Sequence, residues 1–376
     1  MRRKYDNKLL QAISAGQYEK TVDDVKIVVK PIPEGGEDGD MDPRLYKSMK
    51  MAVLMMKFMP KRKKAKSTLE MVLPLRKMFN NVKALPIADT GVKASHHMVE
   101  SVDGYQVPLR AYRRENAGKD LPILVYYHGG GFFGGSPDVV EQMCKLLVQN
   151  LDCVVFNVDY RLCPENHYPQ PLDDCWSSTR WVYDHAEEFG GDRSRIGVSG
   201  DSAGGNLAAA VTLRDRAEGT GMVKLQALIY PAVNISGKHT EFYKGVDESK
   251  YRCSSRHGKV LRATFGMMGS MMGSDSDTNM LDDIYLQGGL DPENIYASPI
   301  LADLKGLPPT ILLFGEHDFL AFEDFAYARA LTAAGNQLRT VIYRGLGHGF
   351  ADQSGIFPQA EDCMIEIATY MKEMLT

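Results

Sequence analysis

The sequence has few cysteines, and none of them forms a recognisable metal or redox motif. Its 376 residues include six cysteines, and no two of these have the CxxC spacing. Zinc ribbons and thioredoxin-like sites depend on that spacing, so the sequence predicts neither a zinc site nor a redox centre. Six cysteines are also too few for a disulfide scaffold. We therefore expect reduced thiols in a cytoplasmic protein.

Long apolar runs and an excess of positive charge are missing as well. The longest apolar run, Met51–Met56, is far shorter than the ~20 residues of a membrane-spanning helix. Near the N-terminus, Leu9-Leu10 is too brief for the apolar segment of a signal peptide. With 44 basic and 48 acidic residues the net charge is −4, which gives no reason to expect a nucleic-acid partner.

The first part of the chain, to about Ala94, differs from the rest. It is rich in Lys and Met and has few strand-like runs, so residues 1–94 are predicted to form a helical cap on a catalytic domain of residues 95–376. A Met-rich stretch, Met49–Met59, precedes a basic run at 61–66. We favour a cap helix whose methionines cover a pocket. A membrane-surface helix with a polybasic flank is the less favoured alternative.

From residue 95 onward, short apolar runs alternate with helical patterns. Such runs predict a parallel sheet covered by helices on both faces, which is an α/β fold. Two alternating stretches around Asp103-Gly104 predict an antiparallel hairpin at one edge of this sheet. Residues 233–294 interrupt the rhythm and are predicted to be a second insertion that contributes to the cap. The apolar runs are Ile123–Tyr127, Val154–Val158, Arg195–Val198, Leu225–Tyr230, Thr310–Phe314 and Thr340–Tyr343.

A serine lies where one of these strands meets a helix. The run Gly200–Gly205, GDSAGG, follows the strand pattern that begins at Arg195 and opens a helical pattern. A nucleophile at a strained strand-to-helix turn needs small neighbours, and the helix N-terminus favours developing negative charge. Ser202 is therefore the predicted nucleophile. Chymotrypsin-like proteases also contain Gly-Asp-Ser, but their order is His…Asp…Ser on an all-β fold without a following helix.

A glycine-rich loop follows the strand Ile123–Tyr127. Its sequence, His128–Phe132, contains three consecutive glycines, which cost conformational entropy and are rarely neutral in a folded loop. We predict an oxyanion hole formed by the backbone N–H groups of Gly130, Gly131 and Ala203. A phosphate-binding loop is disfavoured because neither G-K-[ST] nor G-x-G-x-x-G is present.

A general base and an acid should follow the serine in this kind of fold. His348 lies between glycines after the last predicted strand, which leaves its ring free to act as the base. Asp318 lies beyond the strand Thr310–Phe314 and is the predicted acid. Glu316, two residues earlier, remains the alternative acid.

These motifs together resemble the hormone-sensitive-lipase-like esterases, the bacterial α/β-hydrolases with a GDSAG turn. The resemblance covers roughly residues 96–375 and implies an eight-stranded, mostly parallel sheet with an N-terminal cap. It also implies an acyl-enzyme mechanism without metal or organic cofactor, and it leaves open a monomer or a homodimer. The matching stretches are His128–Phe132, Asp159–Glu165, Gly200–Gly205, Ala297–Leu304, Gly315–Leu320 and Gly347–Phe350.

The sequence thus predicts a serine hydrolase of small carboxylic esters with short or medium acyl chains. Amide or N-acetyl hydrolysis by the same residues is an open alternative. A receptor without catalysis is disfavoured, because the plant receptors that resemble this family have lost the histidine that is present here as His348.

Overall fold

A computed structural model describes residues 3–56, 67–82, 84–244, 257–263, 282–287 and 289–375. Within these ranges ten strands form one sheet in the order β1-β2-β10-β9-β8-β7-β5-β6-β4-β3. Neighbouring strands from β2 to β6 in this order run parallel, and β1, β3 and β4 pair antiparallel. The strands are β1 Tyr18–Val22, β2 Val25–Lys30, β3 Val92–Glu100, β4 Gln106–Arg114, β5 Leu121–Tyr127, β6 Val154–Val158, β7 Gly191–Asp201, β8 Val223–Ile229, β9 Thr310–Gly315 and β10 Leu338–Tyr343.

Helices cover both faces of this sheet. Every residue of β5 and β6 is buried, as expected for parallel strands that have helices on either side. In the described part of the chain α4 packs on α8, and α5 packs on α6. No helix there is long and apolar enough to cross a bilayer. Besides a helical segment at 257–263, the α-helices of the described residues are α1 Asn7–Gly16, α2 Pro43–Met56, α3 Thr68–Asn80, α4 Pro137–Asn150, α5 Gln170–His185, α6 Ala203–Glu218, α7 Ala321–Ala333 and α8 Pro358–Leu375.

The predicted α/β class and the edge hairpin are confirmed. Strands β3 and β4 pair antiparallel over nine residues on each side of the Asp103-Gly104 turn, and β3 is an edge of the sheet. The parallel strands all point the same way, so the loops that follow β5, β7, β9 and β10 meet at one edge. Ligands of open α/β sheets bind at this carboxyl edge.

The sheet has ten strands rather than the eight that the resemblance implied, because the N-terminal region contributes β1 and β2. The prediction that residues 1–94 are helical is therefore wrong for residues 18–30, although α1, α2 and α3 are helices. Asp23 and Asp24 have φ of 49° and 66° and close the turn between the two strands. The basic run at 61–66, and residues 245–256 and 264–281 of the predicted insertion, lie outside the described residues.

Candidate active site

Ser202 occupies a strained turn between β7 and α6. Its φ and ψ are 54° and −117°, a conformation that residues other than glycine rarely adopt. Three backbone hydrogen bonds hold it there: its N–H donates to the Ile229 carbonyl at 2.9 Å, and its carbonyl accepts from the N–H groups of Asn206 at 3.0 Å and Ala232 at 3.1 Å. The surrounding chain therefore imposes the strain.

Glycines beside Ser202 allow the backbone to pass closely behind it. A Cβ atom at Gly204 would lie 2.0 Å from the Tyr127 carbonyl oxygen, and one at Gly200 would lie 2.3 Å from the Gly204 carbonyl. No side chain fits at such distances. The small residues that the sequence places around Ser202 are thus required by the contact between β5, β7 and the first turn of α6.

The structure brings the side chains of Ser202, His348 and Asp318 together. His348 Nε2 lies 2.9 Å from Ser202 Oγ, and His348 Nδ1 lies 2.9 and 3.0 Å from the two carboxylate oxygens of Asp318. The Asp318 carboxylate is fully buried and also accepts a hydrogen bond from the Leu320 N–H at 2.8 Å. The imidazole therefore has one nitrogen fixed by a carboxylate and the other directed at the serine hydroxyl.

The alternative acid, Glu316, has other partners. Its carboxylate accepts a hydrogen bond from the Gly345 N–H at 2.9 Å and lies 4.0 Å from Arg344. It thus supports the turn that precedes the histidine loop. His317, between the two acids, donates from Nε2 to the Asp40 carbonyl at 3.1 Å. Of these three residues, Asp318 is the one placed against the His348 ring.

The glycine-rich loop lies beside Ser202 because β5, which precedes it, is paired with β7. We call residues 128–135 the oxyanion loop. Gly130 and Gly131 have φ of 125° and 62°, which favours glycine. Within the described part of the chain, the N–H groups of Gly130, Gly131 and Ala203 make no hydrogen bond. Three unpaired donors next to a serine hydroxyl can accommodate an oxyanion.

Two side chains that sequence reasoning did not assign hold the base of this loop. Asp201 accepts hydrogen bonds from the Gly129 N–H at 2.9 Å and from the Tyr126 hydroxyl at 3.0 Å, and burial raises the pKa of Asp201 to about 6. Tyr160 donates to the His128 carbonyl at 2.6 Å and stacks on the His128 ring. Asp201 ends β7 and Tyr160 follows β6, and these two strands lie on either side of β5. Their sequence positions could have predicted these contacts, because residues at the carboxyl ends of neighbouring parallel strands lie close together.

His128 is held as a neutral ring. Burial lowers the pKa of His128 to about 4, and its Nδ1 donates to the Gly129 carbonyl at 2.9 Å. A neutral ring adds no net charge beside the unpaired N–H groups. Among the described residues, His, Cys, Asp and Glu form no group of three or more that could hold a metal ion.

Comparisons with known proteins find similarity to α/β-hydrolases and esterases. The sequence profile of the alpha/beta hydrolase fold family matches residues 124–352. Carboxylesterase NlhH of Mycobacterium tuberculosis is 34% identical over 68% of this chain and 75% of its own length. Carboxylic ester hydrolase LipN of the same organism is 32% identical over 75% and 76%, respectively. The solved structure of a Pyrobaculum calidifontis esterase, 28% identical, superposes with a TM-score of 0.67 over 89% of this chain and 100% of that one.

Proposed function

Because the chain belongs to the α/β-hydrolase family, and within it to the hormone-sensitive-lipase-like carboxylesterases, we propose that it hydrolyses small carboxylic esters through an acyl-enzyme on Ser202. The resemblance inferred from the motifs is confirmed by this membership. The observation that supports this assignment is a continuous chain of hydrogen bonds that joins Ser202, His348 and Asp318. A second support is that, among the described residues, the backbone N–H groups of Gly130, Gly131 and Ala203 make no hydrogen bond.

In the first half of the reaction, Ser202 Oγ attacks the ester carbonyl carbon while His348 Nε2 takes the hydroxyl proton. Asp318 accepts the Nδ1–H bond and stabilises the imidazolium that forms. The carbonyl oxygen becomes an oxyanion, which the N–H groups of Gly130, Gly131 and Ala203 stabilise. When the tetrahedral intermediate collapses, His348 returns the proton to the leaving alcohol, and the acyl group stays on Ser202.

The second half repeats these steps with water in place of the serine. His348 deprotonates the water, the hydroxide adds to the acyl carbon, and the same N–H groups stabilise the second oxyanion. Collapse returns the proton to Ser202 Oγ and releases the carboxylic acid. The enzyme is restored, and each step uses only side chains and backbone N–H groups of this chain together with water.

We propose substrates with short or medium acyl chains. The support is that α2 packs over the histidine loop: a Cβ atom at Gly347 would lie 3.7 Å from Leu45 and 3.8 Å from Met49. A helix that lies this close to His348 encloses the site from one side, which suits small acyl groups better than long ones. Initial rates on p-nitrophenyl esters from acetate to palmitate measure this preference directly. Faster turnover of the longest chains would contradict it.

A cytoplasmic location is part of the same proposal. Cys144, Cys153, Cys163, Cys175 and Cys363 are buried free thiols. Burial raises the pKa of the Cys153 and Cys163 thiols to about 12, so these thiols stay protonated and unreactive at neutral pH. Buried reduced thiols are ordinary in a reducing compartment.

The decisive experiment combines Ser202→Ala with a fluorophosphonate probe, which labels activated serines. We expect wild type to be labelled and to cleave p-nitrophenyl butyrate, while Ser202→Ala loses labelling and roughly 10⁴-fold or more of kcat. Ser194→Ala is the matched control, because Ser194 is exposed near the start of the same strand. Normal turnover by Ser202→Ala would overturn the proposal. Faster cleavage of a p-nitroanilide than of the ester with the same acyl group would favour the amide alternative.

A further inference from the structure

Helix α3 of the N-terminal region contacts the outer side of the oxyanion loop through three side chains. Arg76 Nε donates to the Phe133 carbonyl at 2.5 Å, and the Phe79 ring stacks on the Phe133 ring with centroids 5.5 Å apart. Asn80 Oδ1 accepts a hydrogen bond from the Gly135 N–H at 2.8 Å. Three contacts within little more than one helical turn therefore join one helix to one loop.

The other nitrogens of the Arg76 guanidinium bind the neighbouring loop. Nη2 donates to the Cys163 carbonyl at 2.6 Å, and Nη1 and Nη2 form a two-pronged ion pair with Glu165 at 2.8 and 2.6 Å. The hydrogen bonds from Arg76 lower the pKa of the Glu165 carboxyl, which keeps it ionised. A planar guanidinium with partners on this many sides has little freedom to move.

The inner side of the loop has its own contact. Phe132 stacks on Tyr285 with ring centroids 3.8 Å apart and an interplanar angle of 7°. Tyr285 belongs to the described segment 282–287, and its carbonyl accepts from the Tyr168 N–H at 2.8 Å. The two adjacent aromatic residues of the loop are thus held by two segments that lie outside the core of the sheet.

A short chain of peptide groups connects Arg76 to the oxyanion hole. The peptide between Phe133 and Gly134 accepts from Arg76 at its carbonyl, and at its N–H it donates to the Gly130 carbonyl at 2.8 Å. That carbonyl belongs to the peptide whose N–H is on Gly131, one of the unpaired donors. Two peptides in series therefore lie between a permanent cation and the oxyanion.

We propose that Arg76 positions and polarises the oxyanion hole through these two peptides. A hydrogen-bonded peptide chain that begins at a cation aligns its dipoles, and each bond strengthens the next. The same contact restrains a loop whose glycines would otherwise move freely, and a displacement of about 1 Å at a catalytic group costs on the order of 100-fold in rate. The inference rests on the proposed function, because it assigns Arg76 to the oxyanion step.

The test compares Arg76→Gln and Arg76→Lys with wild type in two measurements. The first is the split between kcat and KM on p-nitrophenyl butyrate. The second is Ki for an alkyl trifluoromethyl ketone: Ser202 Oγ adds to the ketone carbon, His348 takes the proton, and the hemiketal oxygen occupies the oxyanion hole. We expect Arg76→Gln to lower kcat about 10- to 100-fold and to raise Ki by a similar factor, with KM within about two-fold.

Arg193→Gln is the matched control. Arg193 also forms a two-pronged ion pair, with Glu187 at 2.7 Å for both contacts, but it lies at the start of β7, away from the carboxyl edge of the sheet. Its kcat and Ki should equal those of wild type. Arg76→Lys keeps the cation without the planar fork, so its kcat and Ki should lie between wild type and Arg76→Gln.

The possible results distinguish a failure of the inference about Arg76 from a failure of the proposed ester hydrolysis. Wild-type kcat and Ki in both Arg76 variants, or a change confined to KM, would overturn the inference. If Arg76→Gln fails to fold, as judged by its thermal midpoint, Arg76→Lys decides by the same criteria. A wild type that neither cleaves esters nor reacts with the fluorophosphonate would overturn the proposed function and this inference with it. A reactive wild type with unaffected Arg76 variants would overturn the inference alone.

Discussion

The core of the sheet and the N-terminal region reach the same site in different ways. Ser202, Asp318 and His348 lie in loops that follow β7, β9 and β10, so the order of strands brings them together. Arg76 instead reaches the oxyanion loop by one side-chain contact across 57 positions of sequence. The reacting groups are thus encoded in local motifs, whereas their support is encoded in long-range contacts. We expect core substitutions to change the rate, and N-terminal ones, Arg76 and its neighbours apart, to change stability.

Beyond the substitutions already described, the largest effect should come from Asp318, the acid that contacts His348. Asp318→Asn keeps the shape of the side chain but removes the charge that fixes the imidazole tautomer, so kcat should fall about 10⁴-fold. Glu316→Gln keeps an acceptor for the Gly345 N–H and should leave kcat within about three-fold. Steady-state rates on p-nitrophenyl butyrate measure both. Equal losses in the two variants would show that the acid cannot be assigned from its contact with His348.

The next largest effect should be a loss of stability when a buried residue of the N-terminal region is replaced. Lys30, at the end of β2, is almost fully buried, and its Nζ lies 2.5 Å from Glu366 and 3.3 Å from Asp362 on α8. Lys30→Met would leave these carboxylates without their cation, so the free energy of unfolding should fall by about 3–5 kcal/mol. We expect kcat of the folded variant to stay unchanged. Urea denaturation and initial rates at a temperature where the variant is folded measure the two quantities.

A surface lysine provides the control for that substitution. Lys238 pairs with Glu293 at 2.6 Å, and both side chains are about half exposed. Lys238→Met should therefore cost no more than about 1 kcal/mol. A loss of kcat in Lys30→Met without a loss of stability would contradict the expectation that N-terminal substitutions change stability rather than rate.

The last effect concerns a partly exposed acid near Asp318. Burial raises the pKa of Glu323 from its usual 4.5 to about 8, although Glu323 accepts a hydrogen bond from the Asn234 N–H at 2.9 Å. The folded state therefore binds this proton more tightly than the unfolded state does. Its contribution to stability is complete below pH 4.5 and is lost as the pH rises toward 8.

Glu323→Gln keeps the acceptor oxygen without the titrating group. The free energy of unfolding of wild type should therefore fall, relative to this variant, between pH 4.5 and 8, and the difference should level off above pH 8. Denaturation curves at pH 5, 7 and 9 measure it. Parallel pH dependence in the two proteins would mean that the pKa of Glu323 is not raised in the folded state.

Sequence reasoning could predict that Ser202, His348 and Asp318 come together because each of them follows an apolar strand. Parallel strands buried on both faces appear as continuous apolar runs, and the residues that follow them must meet at one edge. Ser202 and His348, with glycines on both sides of their motifs, stand out in that position. Asp318 and Glu316 both follow β9, so the sequence left Glu316 open as an alternative. The contact of Asp318 with the His348 ring separates the two residues.

The N-terminal strands and the role of Arg76 could not be predicted in this way. The turn between β1 and β2 uses two aspartates with positive φ, whereas the usual hairpin signal is Asn-Gly or Asp-Gly. The strand β2 is stabilised by pairing with β10, which no local pattern reveals. Arg76 is one cation among many in a basic region. Its function depends on a carbonyl in a distant loop.

The pairing of β2 with β10 also has a consequence for synthesis on the ribosome. Ile27 lies opposite Thr340, so more than 300 residues are translated after β2 before its partner exists. At about 5–20 residues per second the hairpin waits roughly 15–60 s, with the edge of β2 exposed to other chains. The loop that carries His348 follows β10 and is translated directly after it. Nascent chains shorter than this should therefore lack both a closed sheet and a general base.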